Sequence, residues 1–219
     1  MRKLKPKSYD YIEKLAPLET ELMQEARKNS EKLGLETISI SATEAGLIKY
    51  HLQSVQAKKV VEIGTLTGLS ALHVLSVLPD GGKLWTLEKS EEHAKLAELV
   101  LKDEIQNNRC EILIGDAREK LKELNSQAPF DAVFIDGNKA AYLDYFNWAY
   151  ENVREGGMIL VDNIFLAGAV WGGKTSQNFN AKQIRTVQDM NEKAFSDKKL
   201  ISVIVPTEEG LLVCKKQSS

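Results

Sequence analysis

"KKVVEIGTLTGLS", residues 58–70, is the stretch that decides the fold. Val60, Val61 and Ile63 make a short apolar run that stops at Gly64, and Gly68 follows after Thr65, Leu66 and Thr67. This is how a buried strand turns through glycine into a helix. The same rhythm continues downstream in "KLWTLE", "EILIGD", "FDAVFID" and "GGMILVDN", each separated from the next by enough chain for a helix. Alternation of that kind predicts βαβ units, hence an α/β fold with a parallel sheet and helices on both faces. Two further runs, "LISVIVP" and "GLLVCK", are joined by only Thr207, Glu208, Glu209 and their neighbours. They predict an antiparallel hairpin that closes the sheet. Strand order is left open by the pattern. Upstream of residue 58 the texture is helical, with apolar Tyr11, Ile12, Leu15, Leu18 and Leu22. A second helical stretch opens at "SATEAG", where Ser41 precedes Glu44 at capping-box spacing.

The chain has 219 residues, 43% of them hydrophobic and 27% charged, with a formal net charge of −2. That suits one domain spanning 1–219 around a sizeable core. A near-neutral balance gives no electrostatic footprint for nucleic acid. No apolar run approaches the ~18 residues of a membrane span. Arg2, Lys3, Lys5 and Lys7 precede no apolar stretch, so they do not read as a secretory signal. Cys110 and Cys214 lack C-x-x-C spacing and are read as buried thiols of a cytoplasmic protein. His51, His73 and His93 show no metal-ligand spacing.

In open α/β sheets ligands bind beyond the carboxyl ends of the strands. Those ends carry Glu62, Glu88, Asp116, Asp136 and Asp162, the last followed by Asn163. One such acid alone reads as a helix cap. Five together describe a crevice that wants cations. The glycine turn is not G-x-G-x-x-G, and Glu62 just before Gly64 would repel a phosphate. Glu88, ending the next strand, is placed to accept hydrogen bonds from both hydroxyls of a ribose, with Asp116 beside an adenine. S-adenosylmethionine combines ribose, adenine, a sulfonium and an ammonium without a phosphate, and it fits these demands.

Asp136 ends the fourth strand, and Asp162-Asn163 ends the fifth. If the two strands are neighbours, two carboxylates and an amide oxygen converge with no His or Cys. Such a set selects a hard divalent cation, Mg²⁺, Mn²⁺ or Ca²⁺, and leaves coordination positions open. The competing reading makes Asp136 or Asn138 a helix cap and Asp162-Asn163 a turn. Lys139 favours the site: a lysine opening a helix opposes the macrodipole, and a broken local rule points to function.

"VVEIGTLTGLSAL", "FIDGNKAAY", "GGMILVDN" and "EEGLLVCKK" together resemble the cation-dependent class I O-methyltransferases, the group of catechol and caffeoyl-coenzyme A O-methyltransferases and their bacterial relatives. The resemblance runs from about Ser41 onward. It implies a Rossmann-like, seven-stranded, mostly parallel sheet with a C-terminal antiparallel hairpin, and a homodimer. It also implies that the helical segment 1–56 packs on or over the active site. Carried over by position, Glu62, Gly64, Thr65, Ser70, Glu88, Ala117 and Asp136 would contact S-adenosylmethionine. Asp136, Asp162 and Asn163 would bind the metal, and Lys139 would be the catalytic lysine. Ile38 and Ile40 stand where plant relatives have methionine and threonine, and Ala167 where they have asparagine. These departures bear on the substrate, not on the reaction.

The expected substrate is a vicinal aromatic diol of catechol, caffeoyl or flavonoid type. A phenol has a pKa near ~10, so about one molecule in a thousand is ionised at neutral pH, and activation is worth up to ~4 kcal/mol. A divalent ion chelated by adjacent hydroxyls would supply it and orient one oxygen. Lys139 would act as the base or as a charged donor; the sequence leaves both open. The glycine-rich segment 166–182, with Leu166, Val170, Trp171 and Phe179, reads as a mobile wall of the substrate pocket, or as a plain surface loop. Lys5 or Lys7 would meet an anionic substrate. A NAD-dependent Rossmann enzyme is disfavoured by the missing third glycine and by Glu62. A metal-independent class I methyltransferase acting on another small molecule or a macromolecule is disfavoured by the D-G-N-K and D-N pairing.

Overall fold

The computed structural model describes residues 7–35, 38–173, 175 and 178–218, with side chains from residue 11 onward. Arg2, Lys3, Lys5 and the Lys7 side chain lie outside the described residues, as do positions 174, 176 and 177 of the glycine-rich segment. The chain begins with helices α1 (Lys7–Leu15), α2 (Glu21–Lys32) and α3 (Ala42–Ser54). Strand β1 (Lys59–Ile63) leads through α4 (Leu69–Leu75) to β2 (Lys83–Glu88), and α5 (Glu91–Val100) with α6 (Lys102–Gln106) leads to β3 (Cys110–Ile114). Then come α7 (Ala117–Leu124), β4 (Phe130–Ile135), α8 (Tyr142–Asn152), β5 (Val153–Val161), α9 (Ala181–Ser196), β6 (Leu200–Val205) and β7 (Leu211–Lys216).

The seven strands form one sheet in the order β3-β2-β1-β4-β5-β7-β6. Strands β1 to β5 pair in parallel, and β7 pairs antiparallel with both β5 and β6, so it alone runs against the other six. The expected α/β architecture with its closing hairpin is therefore present. Because β1 pairs with both β2 and β4, the chain winds away from it in two directions. The helices that follow these strands lie on opposite faces of the sheet, which opens a crevice at this switch point. Each strand face feeds a separate core: Val60, Ala132 and Phe134 pack with Leu69 and Ile48 on one side, while Val61, Val133 and Ile135 pack with Phe146 and Val187 on the other. A sheet covered on both faces demands the continuous apolar runs seen in the sequence.

The helices expected upstream of β1 form, and Ser41 and Glu44 make the expected capping box on α3. The stripe that predicted them has a different fate. Leu15 is 67% exposed and Leu18 96% exposed, and Tyr11, Ile12 and Leu22 are exposed as well. Contact with the site end of the sheet comes instead through α2. Thr67 of the glycine turn donates to the Ala26 carbonyl (2.8 Å), and its hydroxyl also meets Ser30 (2.8 Å).

Candidate functional site

At the carboxyl ends of β1, β2 and β4 lies a cavity of about 440 Å³. Its floor is the turn Gly64–Ser70, and one end is built by Glu88, Asp116 and Ala117. The other end holds Asp136, Lys139, Asn163, Phe179 and Glu209, and Ile38, Ser39 and Ile40 of the N-terminal segment form a wall.

The glycine turn is pre-shaped by its neighbours. Gly64 has φ 106°, and a Cβ there would collide with the carbonyl oxygen of Asp136, so only glycine lets β1 end so close to β4. Leu66 sits at φ 51°, and its N–H donates to Glu88 Oε2 (2.8 Å). Ser90 N–H donates to Glu88 Oε1 (2.8 Å). Glu88 is thus fixed at the cavity by two backbone donors, with lone pairs left for a ligand. Asp116 caps α7 through the Arg118 N–H (3.0 Å) and pairs with the Arg118 side chain; those hydrogen bonds hold its carboxyl below the usual range. It caps a helix and lines the cavity at once.

Glu62 departs from the picture of five acids around one crevice. It is the penultimate residue of β1, so strand parity turns it the way Val60 points, and it is fully buried. Thr86 donates to its Oε2 (2.5 Å), and Thr65 in turn meets the Thr86 hydroxyl (2.6 Å). Burial pushes the Glu62 carboxyl up to about 7; hydrogen bonds from Thr86 and Ser70 oppose the shift, and the charges of Asp136 and Glu88 add to it. Glu62 and Thr65 therefore support the turn from below. Thr65 and Ser70 also line the cavity, whereas Glu62 does not.

The β4 and β5 strands are neighbours, as the convergence of Asp136 with Asp162-Asn163 requires. Lys139 opens a short 3₁₀ turn capped by the Asn138 side chain, and its ammonium lies 2.8 Å from Asp136 Oδ1. That ion pair offsets the unfavourable helix-dipole position. The ammonium also donates to the Tyr142 hydroxyl (2.6 Å), which donates to the Asp162 carbonyl (3.1 Å). Asp162 is 1% exposed and accepts from the Asn163 N–H (2.8 Å). Burial raises its pKa well above the ordinary value, the negative charges of Glu44 and Asp136 raise it further, and Lys139 opposes them. Asn163 lines the cavity from a left-handed backbone, φ 57°. Among the described residues no group of three or more His, Cys, Asp or Glu side chains is arranged to hold a metal. The set here has two carboxyls and an amide.

Three participants were not singled out from the sequence. Tyr142 stands one 3₁₀ turn beyond Lys139, a spacing that could have signalled it. Glu44 was visible only as a cap, and Glu209 only as part of a hairpin connection. Of the glycine-rich segment, Phe179 lines the cavity, Leu166 is buried in the core, and Trp171 is 63% exposed with its ring against Phe165.

Among known proteins, a family model described as O-methyltransferase matches residues 13–217. A catechol O-methyltransferase of Niastella koreensis is 33% identical over 162 residues, covering 73% of this chain and 73% of its own. A catechol O-methyltransferase of Mycobacterium tuberculosis is 31% identical over 175 residues, 80% of this chain and 79% of its own. Among solved structures, the O-methyltransferase TomG of Streptomyces achromogenes, involved in tomaymycin synthesis and crystallised with SAM, superposes with a TM-score of 0.85. It is 26% identical, covering 97% of this chain and 96% of that one.

Proposed function

The chain belongs to the O-methyltransferase family, and from that premise we propose that it transfers a methyl group from S-adenosylmethionine to one hydroxyl of a vicinal aromatic diol, with a divalent cation at Asp136, Asp162 and Asn163. The observation that carries this reading is a single cavity with the glycine turn and Glu88 at one end and Asp136, Lys139 and Asn163 at the other. A methyl donor and an acceptor can meet there with little freedom left, which is the entropic part of catalysis.

Glu88 would take the ribose, since its carboxyl is already aimed and held by two backbone N–H groups. Ala117 and Asp116 would flank the base, and Gly64, Thr65 and Ser70 would line the remainder of the donor.

The donor set fits a hard cation by its chemistry. Asp162 is buried beside Asp136 and Glu44, and both raise its pKa; a cation lets such neighbours ionise together. Asp136, Asp162 and Asn163 would hold Mg²⁺, Mn²⁺ or Ca²⁺ through oxygen alone. When bound, the ion would lower the pKa of a chelating hydroxyl and neutralise the developing oxyanion. Lys139, held in its ion pair with Asp136, would stand as a charged donor to the attacking hydroxyl oxygen, whose proton passes to bulk water. Tyr142 fixes the lysine's direction. Ile38, Ile40 and Phe179 supply apolar walls suited to an aromatic ring.

The N-terminal segment is part of the same proposal: residues 38–40 already form one wall, which supports a covering role for residues 1–56. A homodimer is supported by the exposed Tyr11, Leu15, Leu18 and Leu22. A cytoplasmic location is supported by Cys110 and Cys214, both buried free thiols.

The test is methyl incorporation from labelled donor into catechol, caffeate and phenol, before and after exhaustive chelation. The reading expects turnover of the diols only, lost with EDTA and restored by Mg²⁺ or Mn²⁺. Full turnover after chelation would favour the metal-independent alternative instead, and equal rates on phenol and catechol would remove the diol.

A further inference from the structure

We propose that Glu209, at the tip of the β6–β7 hairpin, is a positioning residue that locks Asn163 in the conformation facing the cavity. The inference rests on reading Asp136, Asp162 and Asn163 as cation ligands. The backbone around Asn163 is unusual: Asn163 has φ 57°, Leu166 φ 47°, Ala167 φ 51° and Gly168 φ 95°. Three of these four left-handed residues carry a side chain, which makes the conformation costly unless its surroundings impose it.

The segment winds into a short 3₁₀ helix, Leu166–Trp171, whose start is non-helical at Ala167 and Gly168. Leu166 N–H reaches the Asn163 carbonyl at 3.4 Å, and Gly168 N–H reaches the Phe165 carbonyl at 2.9 Å. The hairpin tip supplies three more. Ile164 N–H donates to the Gly210 carbonyl (3.2 Å), Phe165 N–H to the Glu209 carbonyl (2.9 Å), and Ala167 N–H to Glu209 Oε2 (3.0 Å). Glu209 thus grips the loop with both main chain and side chain, on either side of Leu166. The fit is close: a Cβ on Gly210 would lie 2.8 Å from the Phe165 ring. Glu209 is 8% exposed and lines the cavity. The other end of Asn163 is tied by its own N–H to Asp162 Oδ1 (2.8 Å). Releasing Ala167 would remove the side-chain half of this grip and leave the Ile164 and Phe165 bonds alone to hold the left-handed run, so that Asn163 would lose part of its hold on the conformation that faces the cavity.

The residue acts through the backbone, so the loss falls on cation binding first. Partners that orient metal ligands change metal affinity by about 10–100-fold when removed. The experiment is Mn²⁺ titration by calorimetry or paramagnetic resonance on Glu209→Ala, Glu209→Gln, Asn163→Ala, Asp162→Ala and the Glu209→Ala/Asn163→Ala double variant. S-adenosylhomocysteine affinity and thermal melting are measured beside it. Glu209→Ala should weaken Mn²⁺ by about tenfold or more with S-adenosylhomocysteine binding unchanged. Glu209→Gln should recover most of the loss, because its amide oxygen still accepts from Ala167. The double variant should bind no more weakly than Asn163→Ala alone, since both act through one ligand. Parental Mn²⁺ affinity in Glu209→Ala, with Asn163→Ala weakened, would overturn the proposal and leave the cation reading standing. Parallel losses of both ligands with no rescue by glutamine would make Glu209 a plain stability residue and overturn it too. If neither Asn163→Ala nor Asp162→Ala altered Mn²⁺ binding, the cation reading itself would fall, and this proposal with it.

Discussion

The two ends of the cavity are built on opposite principles. Around Glu88 the polar groups satisfy one another: the carboxylate takes the Leu66 and Ser90 N–H groups, and Thr65, Thr86 and Glu62 form a chain beneath the turn. Around Asp162 the groups are bonded too, with Lys139 on Asp136 and the Asn163 N–H on Asp162, but the acids oppose one another. Burial and two neighbouring acids work against ionisation there, and Asn163 holds a left-handed backbone. The first region is held in place by its own hydrogen bonds and leaves lone pairs on Glu88 for a ligand. The second is arranged so that a cation would relieve it. A preformed hydrogen-bonded turn suits a donor site that is refilled at each turnover; neighbouring acids that raise one another's pKa suit a resident ion.

The sharpest way to break this contrast is to delete the acid that should serve the cation alone. Asp162→Ala should lower methyl transfer by about a thousandfold, the three pKa units between a phenol and neutral pH that activation supplies. Initial rates at saturating diol and Mg²⁺ check it. Next in size, Glu88→Ala should weaken S-adenosylhomocysteine by about a hundredfold, the loss of two hydrogen bonds to a charged acceptor. Mn²⁺ affinity should hold, and calorimetry reads both.

The smallest effect sharpens the contrast within the donor end. Glu62 titrates near 7 when folded, against 4.5 ordinarily. The folded state therefore holds the extra proton, and stability is fully present below 4.5 and declines as pH rises toward 7. On chemical denaturation Glu62→Gln should remove about 2 kcal/mol of the parent's stability loss between pH 4.5 and 7. An unchanged pH slope would mean that Glu62 is ionised in the folded protein.

The strands were legible because each is buried on both faces and reads as an unbroken apolar run. The two glycines of "EIGTLTG" were legible as a turn because Gly64 and Gly68 both occupy positive φ. Strand order was not, since it depends on which edges pair, and nothing local to "FDAVFID" names β5 as its neighbour. Glu62 was read as facing the crevice because it stands near a strand end, but one step of parity sends it inward. Tyr142 and Glu209 escaped notice for a different reason. Their roles come from contacts to Lys139 and to Ala167, and the Ala167 contact spans 42 residues. The upstream apolar stripe was legible as helix, though Leu18 falls in the turn between α1 and α2 and its neighbours are exposed, because periodicity reports a face without saying what covers it.

If one end takes the donor and the other the ion, the two must be separable by mutation. The decisive measurement is calorimetric titration of S-adenosylhomocysteine into Asp162→Ala and into Glu88→Ala, in metal-free buffer. Asp162→Ala should keep the parental affinity, and Glu88→Ala should bind far more weakly. Equal losses in both variants, or a loss in Asp162→Ala alone, would show that the two ends do not act separately.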